Sequence, residues 1–433
     1  MKETFSHFEV HDVRFPTSRT LVGSDAMNPG PDYSAAYVVV RTSAGDAGHG
    51  FVFTIGRGNE VAVSAVRAVE PLVKGLEVGE VFSDMGGFAR LLTHDSPLHW
   101  LGPDKGVVHM ALGAVVNAVW DLLARRRGLP LWKLLADMSP SEVADLVDFR
   151  YLGDTLPHAE AVEILERAQV GKDQREQQLL AQGYPAYTTS VGWLGYPDER
   201  VLALASKAVS AGFRHLKLKV GAGPERDAHR VKLVRDLVGP EVLLSVDANQ
   251  AWEVPEAVEN VKQLAAHGLY WVEEPTSPDD IAGHLAIAKA VAPVLVATGE
   301  HVANRVVFKQ LLASGAVGVC QIDACRVAGV NENVAILLLA TKFGVPVCPH
   351  AGGVGLSEVV QHLSMFDYLA VSASMDRRWA EYVDHLHEHF VVPARVEQGR
   401  YLAPQEPGSG AEMLASSVST YTFPDGPAWR DAP

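Results

Sequence analysis

The chain is predicted to be an α/β protein: a parallel TIM-type barrel with helices outside it, preceded by an α+β domain. Two observations predict this. From about residue 186 onward, short apolar, β-branched runs recur at 186–191, 215–220, 242–247, 269–273, 294–298, 317–323, 345–349 and 368–372. Stretches with helical periodicity lie between them, including 199–212, 227–238, 254–267 and 329–343. Neighbouring runs start roughly 25 residues apart, one strand–helix unit, and eight such units joined by crossovers close into a barrel. The second observation is the different N-terminal pattern. Alternating apolar residues over 6–15 and 36–55, around the turn "SAGDAGHG", predict antiparallel sheet. Helical patterns follow at about 59–73, 81–93 and 106–127. Segment 156–182 is charged and predicted helical, and the Pro/Gly-rich tail after about 393 is expected to pack back on the first domain. The expected division is 1–135, 136–392 and 393–433.

Bulk composition narrows the function. With 48% hydrophobic and 21% charged residues over 433 positions, the chain has the balance of a globular protein with substantial cores. A net charge of -15 argues against nucleic acid and anionic membrane surfaces as partners. The N-terminus "MKETFSHFEV" carries no secretory h-region, and no apolar run is expected to reach the length of a membrane span. Three cysteines, Cys320, Cys325 and Cys348, do not suggest a disulfide framework, so a cytoplasmic location is expected.

The stretch "HLKLKV" at 215–220 puts Lys217 and Lys219 on one face of a strand and Leu216, Leu218 and Val220 on the other. On an isolated edge strand this is a wet face; in a barrel the lysines point inward. Desolvation and mutual repulsion are then expected to lower at least one pKa, making that lysine a proton acceptor. Later strands supply counter-charges. "LLSVDAN" ends at Asp247, "YWVEEP" at Glu273 and Glu274, and "LVATGE" at Glu300, spaced 26 and 27 residues apart. One acid alone would be a helix cap; three in phase converge on the C-terminal rim, where barrel active sites form. Three carboxylates need a cation among them, and all-oxygen donors suit Mg²⁺ better than zinc. Glu274 points opposite to Glu273 and is expected to meet a partner in the barrel wall, while Asn249 becomes another rim residue that could contact ligand. "VCQIDACR" and "VPVCPHAGG" place Asp323 and His350, again 27 apart, as a dyad in which the carboxylate fixes the imidazole tautomer. The Gly221/Gly223 turn lacks the third glycine of a dinucleotide fingerprint, and "HAGGVGLSE" reads equally as an anion loop or a tight turn. Three carboxylates, one Mg²⁺ and two lysines leave the site near neutral or mildly positive. Such a site can hold a substrate carboxylate and stabilise the enediolate formed when the α-proton leaves.

On these motifs (Lys217-Leu218-Lys219, Asp247-Ala248-Asn249, Glu273-Glu274-Pro275, Gly299-Glu300 and Asp323/His350) the chain resembles the enolase superfamily, mandelate racemase subgroup, over nearly its whole length. That resemblance implies an N-terminal capping domain and a modified (β/α)7β barrel. Within the subgroup the chain is similar to the L-fuconate dehydratase family in "HDVRFPTSR", "GSDAMNPGPDYSAAYVV", "YPAYTTS", "WVEEPTSPDD", "NRVVFKQLL", "CPHAGGVGL" and "EYVDHLHEHF". The resemblance implies dehydration of an acid sugar, L-fuconate to 2-keto-3-deoxy-L-fuconate, with a racemase or another aldonic or aldaric dehydratase as the alternative. It also implies residue roles. Lys219 takes the C2 proton, and His350 assists loss of the 3-hydroxyl and protonates C3. Asp247, Glu273 and Glu300 bind Mg²⁺. Lys217 and Glu381 contact the carboxylate end, and Asp25 and Tyr33 reach the polyol from the cap. Cys325 and Ala328 stand where the family pattern has Ala and Gly. A homo-oligomer is left open.

Overall fold

The computed structural model describes residues 2–430. At the N-terminus, β1 (Phe5–Arg14), β2 (Ser34–Thr42) and β3 (Ala47–Thr54) form an antiparallel sheet in that order. The helix Gly106–Arg127 lies directly on β3 because "GHG" leaves room for it. A Cβ at Gly48 would sit 2.0 Å from the Ala118 carbonyl oxygen, and one at Gly50 2.2 Å from that of Ala114. This helix corrects one expectation. It is long and apolar enough to pass for a membrane span, but 89% of its apolar window is buried inside the protein. The predicted helix over 81–93 divides into Val78–Ser83 and Met85–Thr93, with Asp84 capping the second. Segment 156–182 likewise divides into His158–Gln169 and Lys172–Gln182.

The barrel is built from β4 (Tyr184–Gly192), β5 (His215–Lys219), β6 (Leu243–Asp247), β7 (Leu269–Glu273), β8 (Leu295–Thr298) and β9 (Val319–Cys320), all parallel neighbours in sequence order. The seventh run contributes a single parallel bridge, Cys320 to Val347, extended by a bond from the His350 N–H to the Ile322 carbonyl. The eighth run is not a strand. Residues Asp367–Val371 form a wide helical turn, and the closing strand is β10 (Ala380–Tyr382), parallel to β4. The Glu381 N–H donates to the Pro349 carbonyl and joins β10 to the seventh segment. Seven helices follow the first seven strands, from Asp198–Ser210 to Leu356–Phe366, so the architecture is a (β/α)7β barrel with an N-terminal capping domain.

Two short strands in the tail, β11 (Val396–Glu397) and β12 (Arg400–Tyr401), form a hairpin that adds antiparallel to β4. Further on, the chain reaches the cap. The Phe423 N–H bonds to the Asp12 carbonyl, Trp429 Nε1 donates to the Arg14 carbonyl, and the Arg14 guanidinium lies 3.9 Å over the Phe423 ring.

Candidate active site

Lysines and carboxylates line up across the C-terminal ends of the barrel strands. In register, Lys217 faces Ser245 and Lys219 faces Asp247, while Asp247 faces Glu273. The Lys219 ammonium donates to Asp247 Oδ2 at 2.6 Å. Lys217 donates to Glu273, with Glu381 Oε1 at 3.1 Å and Asp247 Oδ2 at 3.5 Å. Asp247, Glu273 and Glu300 are buried and each turns one oxygen to a common point, all three lying within 4.8 Å of one another. Glu300 Oε2 is buried and accepts no hydrogen bond, although His350 Nε2 lies 3.5 Å away. An unpartnered carboxylate oxygen beside two others is a donor set that fits a hard divalent cation. Burial raises the Glu300 pKa, which a bound cation would reverse.

The lysines correct the expectation of a lowered pKa. Burial works against the Lys219 charge, but Asp247, Glu300 and Asp25 together outweigh it and the pKa is raised. Lys217 is raised for the same reason by Glu273 and Glu381. Carboxylates at bonding distance hold both protons more strongly than desolvation expels them. Lys217 is also fully buried beneath the acids and is not among the residues lining the cavity. Its charge therefore reaches that space through the carboxylates it holds.

The dyad is formed: His350 Nδ1 lies 2.7 Å from Asp323 Oδ2, and Asp323 Oδ1 accepts from the Cys325 N–H at 2.6 Å. The buried Cys325 thiol therefore packs beside the dyad, and the Ala328 N–H bonds to Glu332. Burial opposes the imidazolium, but Glu300, Asp323 and Glu381 raise the His350 pKa to about 10. Glu381 comes from β10, where Oε1 accepts from the Thr189 hydroxyl and Oε2 from the Ala351 N–H.

A cavity of about 490 Å³ lies between barrel and cap. Lys219, Asn249, Glu300, His350 and Glu381 face it from the barrel, and Asp25 and Tyr33 from the cap. Asp25 serves its own loop as well, accepting from the Met27 and Asn28 N–H groups at 2.8 and 2.7 Å. Asn249 is 5% exposed, and its Oδ1 has no partner. Sequence reasoning missed Trp193, Gln250, His301 and Arg326, which also line the cavity. His301 follows a predicted ligand directly, and that adjacency was the available signal. The first glycine stretch serves the fold, and the second serves both fold and site, since Gly352 lines the cavity. The Gly221 and Ala222 N–H groups bind the Asp227 carboxylate, and Gly353 packs so closely on Phe53 that a Cβ would lie 2.5 Å from the ring.

The pattern of a lysine strand, three acid rims and an Asp–His dyad on a capped (β/α)7β barrel defines a class of proton-abstracting enzymes, and sequence comparison agrees. Residues 200–417 match the "Enolase C-terminal domain-like" family and residues 26–136 the "Mandelate racemase / muconate lactonizing enzyme, N-terminal domain". The chain belongs to the enolase superfamily, in its mandelate racemase / muconate lactonizing branch. It is 55% identical to mitochondrial enolase superfamily member 1 of Bos taurus, covering 98% of this chain and 97% of that one. It is 49% identical to L-galactonate dehydratase of Hypocrea jecorina, covering 97% and 94%. The crystal structure of the human mitochondrial enolase superfamily member 1 superposes with a TM-score of 0.97 at 52% identity, covering 99% and 98%.

Proposed function

We propose that the protein is a Mg²⁺-dependent acid-sugar dehydratase that removes water from a six-carbon aldonic acid to leave a 2-keto-3-deoxy acid. One observation carries this reading: Lys219, bonded to Asp247, and His350, with Nε2 3.5 Å from Glu300 Oε2, face a single cavity beside the Asp247–Glu273–Glu300 trio. Mg²⁺ held by those three residues would supply positive charge to the substrate carboxylate and weaken the grip of Asp247 on the Lys219 proton. Lys219, as the neutral amine once that proton has gone to solvent, takes the C2 proton from one face. His350, protonated between Glu300, Asp323 and Glu381, gives its proton to the departing C3 hydroxyl, which leaves as water. The resulting enol ketonises, with a proton delivered to C3 from the same side. Asp323 holds the imidazole at Nδ1 and leaves Nε2 toward Glu300 and Glu381. Lys217 and Glu381 set the field at the carboxylate end.

L-fuconate is the substrate placed first, with L-galactonate beside it. L-fuconate is the 6-deoxy form of L-galactonate, so both share one configuration from C2 to C5. The resemblance to the Hypocrea L-galactonate dehydratase supports that configuration. Met27, Ile55, Val107 and Met110 give the cap side of the cavity an apolar surface that suits a terminal methyl group. The test is a panel of aldonic and aldaric acids with Mg²⁺, scoring the keto acid as its semicarbazone. L-fuconate should turn over fastest, with L-galactonate within ~10-fold, and a chelator should abolish activity until Mg²⁺ is restored. C2 proton exchange without any keto acid would mean epimerisation and reject the dehydratase.

A further inference from the structure

The barrel rim holds one fully buried carboxylate that the reaction above does not use. Glu274 follows a proposed metal ligand in the chain, is fully buried, and brings a carboxylate oxygen within 4.8 Å of Glu300 and His301. Its Oε1 accepts from His301 Nδ1 at 2.8 Å and from Gln250 Nε2 at 3.2 Å, and its Oε2 accepts from Gln250 Nε2 at 3.3 Å. The backbone joins the arrangement too, with the Gln250 N–H donating to the Glu274 carbonyl at 2.8 Å. Both partners line the cavity. The local chain is strained to achieve this. Asn249, Gln250 and Glu274 have φ of 45°, 66° and 42°, a left-handed region that side-chain-bearing residues seldom enter. Clustered backbone strain of this kind persists where its surroundings over-determine it.

The geometry leaves two polar atoms turned away from Glu274. With Gln250 Nε2 committed to the carboxylate, its Oε1 is the free end of the amide. With His301 Nδ1 committed, its Nε2 is the free end of the ring. A hydroxyl group can both donate and accept, so it can bond to either atom. Gln250 follows Asn249 and His301 follows Glu300 in the chain, and all four line the cavity. A sugar acid whose carboxylate end lies at the acids must extend its remaining carbons past them.

We propose that Gln250 and His301 are specificity-determining residues that read the C4 and C5 hydroxyls of the substrate, and that Glu274 is the positioning residue that aims them. The inference rests on the acid-sugar reading and adds the residues that choose among stereoisomers. A buried, paired polar contact rejects the wrong hydroxyl configuration far better than an apolar wall does.

The experiment compares L-galactonate with its C5 epimer D-altronate, using the full chain with Mg²⁺ and the variants His301→Phe, Gln250→Leu and Glu274→Gln. Mn²⁺ affinity is measured on each protein to report on the neighbouring ligands. The expected result is a rise in KM for L-galactonate of ~10-fold or more for His301→Phe and Gln250→Leu, with kcat within ~3-fold. Discrimination against D-altronate should fall and Mn²⁺ affinity should hold. Glu274→Gln should show the same split in weaker form. Variants that keep both KM and discrimination overturn the inference while leaving the dehydratase reading standing. So does a loss of kcat accompanied by a loss of Mn²⁺ affinity, which would mean the trio only props the metal ligands. A wild-type protein that turns over neither acid overturns the dehydratase reading and this inference with it.

Discussion

The same barrel strands present two different interiors, a floor and a rim, two residues apart. On the floor Tyr187, His215 and Trp271 pack together, the His215 ring 4.4 Å from Trp271 and 5.2 Å from Tyr187, and Trp379 closes against His215. One step outward on the same faces stand Thr189, Lys217 and Glu273. The floor is aromatic, and the rim is built of polar and acid–base side chains. Contacts between the layers are specific. Trp271 Nε1 donates to Glu273 Oε2 at 3.1 Å, and the Lys217 ammonium lies 5.4 Å from the centre of the Tyr187 ring. Water kept out from below makes each charge on the rim act more strongly on its neighbours. Stability and chemistry are thus divided by layer within single strands.

Changes on each layer can break or sharpen that contrast. The largest effect belongs to the rim. Lys219→Ala should cut turnover by at least ~10³-fold and abolish hydrogen exchange at C2 in deuterated water; exchange at the normal rate would remove Lys219 from the role of base. Next comes the floor. Trp271→Ala opens a large void and should cost about 3–5 kcal/mol in urea unfolding, visible as a lower midpoint. A midpoint equal to the wild type's would show that the floor carries no special share of the stability.

The smallest effect is a pH dependence. Burial lowers the pKa values of both His215 and His362 to about 3. The unfolded chain binds those protons near the ordinary histidine value, so the stabilisation is complete above about pH 6.5 and is lost as the pH falls toward 3. Between pH 6.5 and 5 each histidine should take away roughly 2 kcal/mol of unfolding free energy. His215→Phe should flatten that slope, and equal slopes in variant and wild type would exclude the floor histidine as a source.

Much of the rim was legible because its charges recur in phase with the strand–helix unit. Lys217, Lys219, Asp247, Glu273, Glu300, Asp323 and His350 each end a β-branched run, and the structure brings them to one end of the barrel. The last strand was not legible from periodicity. "DYLAV" is a short buried apolar run, and periodicity alone does not separate a buried strand from a buried helical turn. The true strand, "AEY", is three residues long and carries a charge at its centre, so only the family resemblance pointed to Glu381. The lysine pKa values went the other way from expectation because sequence spacing gives neighbours but not the 2.6 Å at which Asp247 meets Lys219. Gln250 escaped notice because its position follows from a turn with positive φ, which has no periodicity to read, whereas His301 was signalled only by its adjacency to Glu300.

Glu381 is both the middle residue of the strand that shuts the ring and a side chain reaching into its centre. Its main chain joins Pro349, its carboxylate takes the Ala351 N–H, and its carbonyl accepts the Tyr401 hydroxyl from the returning tail. Closure of the ring therefore also completes the set of charges around Lys217. A nascent or partly opened chain lacks one of the three carboxylates that surround Lys217 in the closed ring.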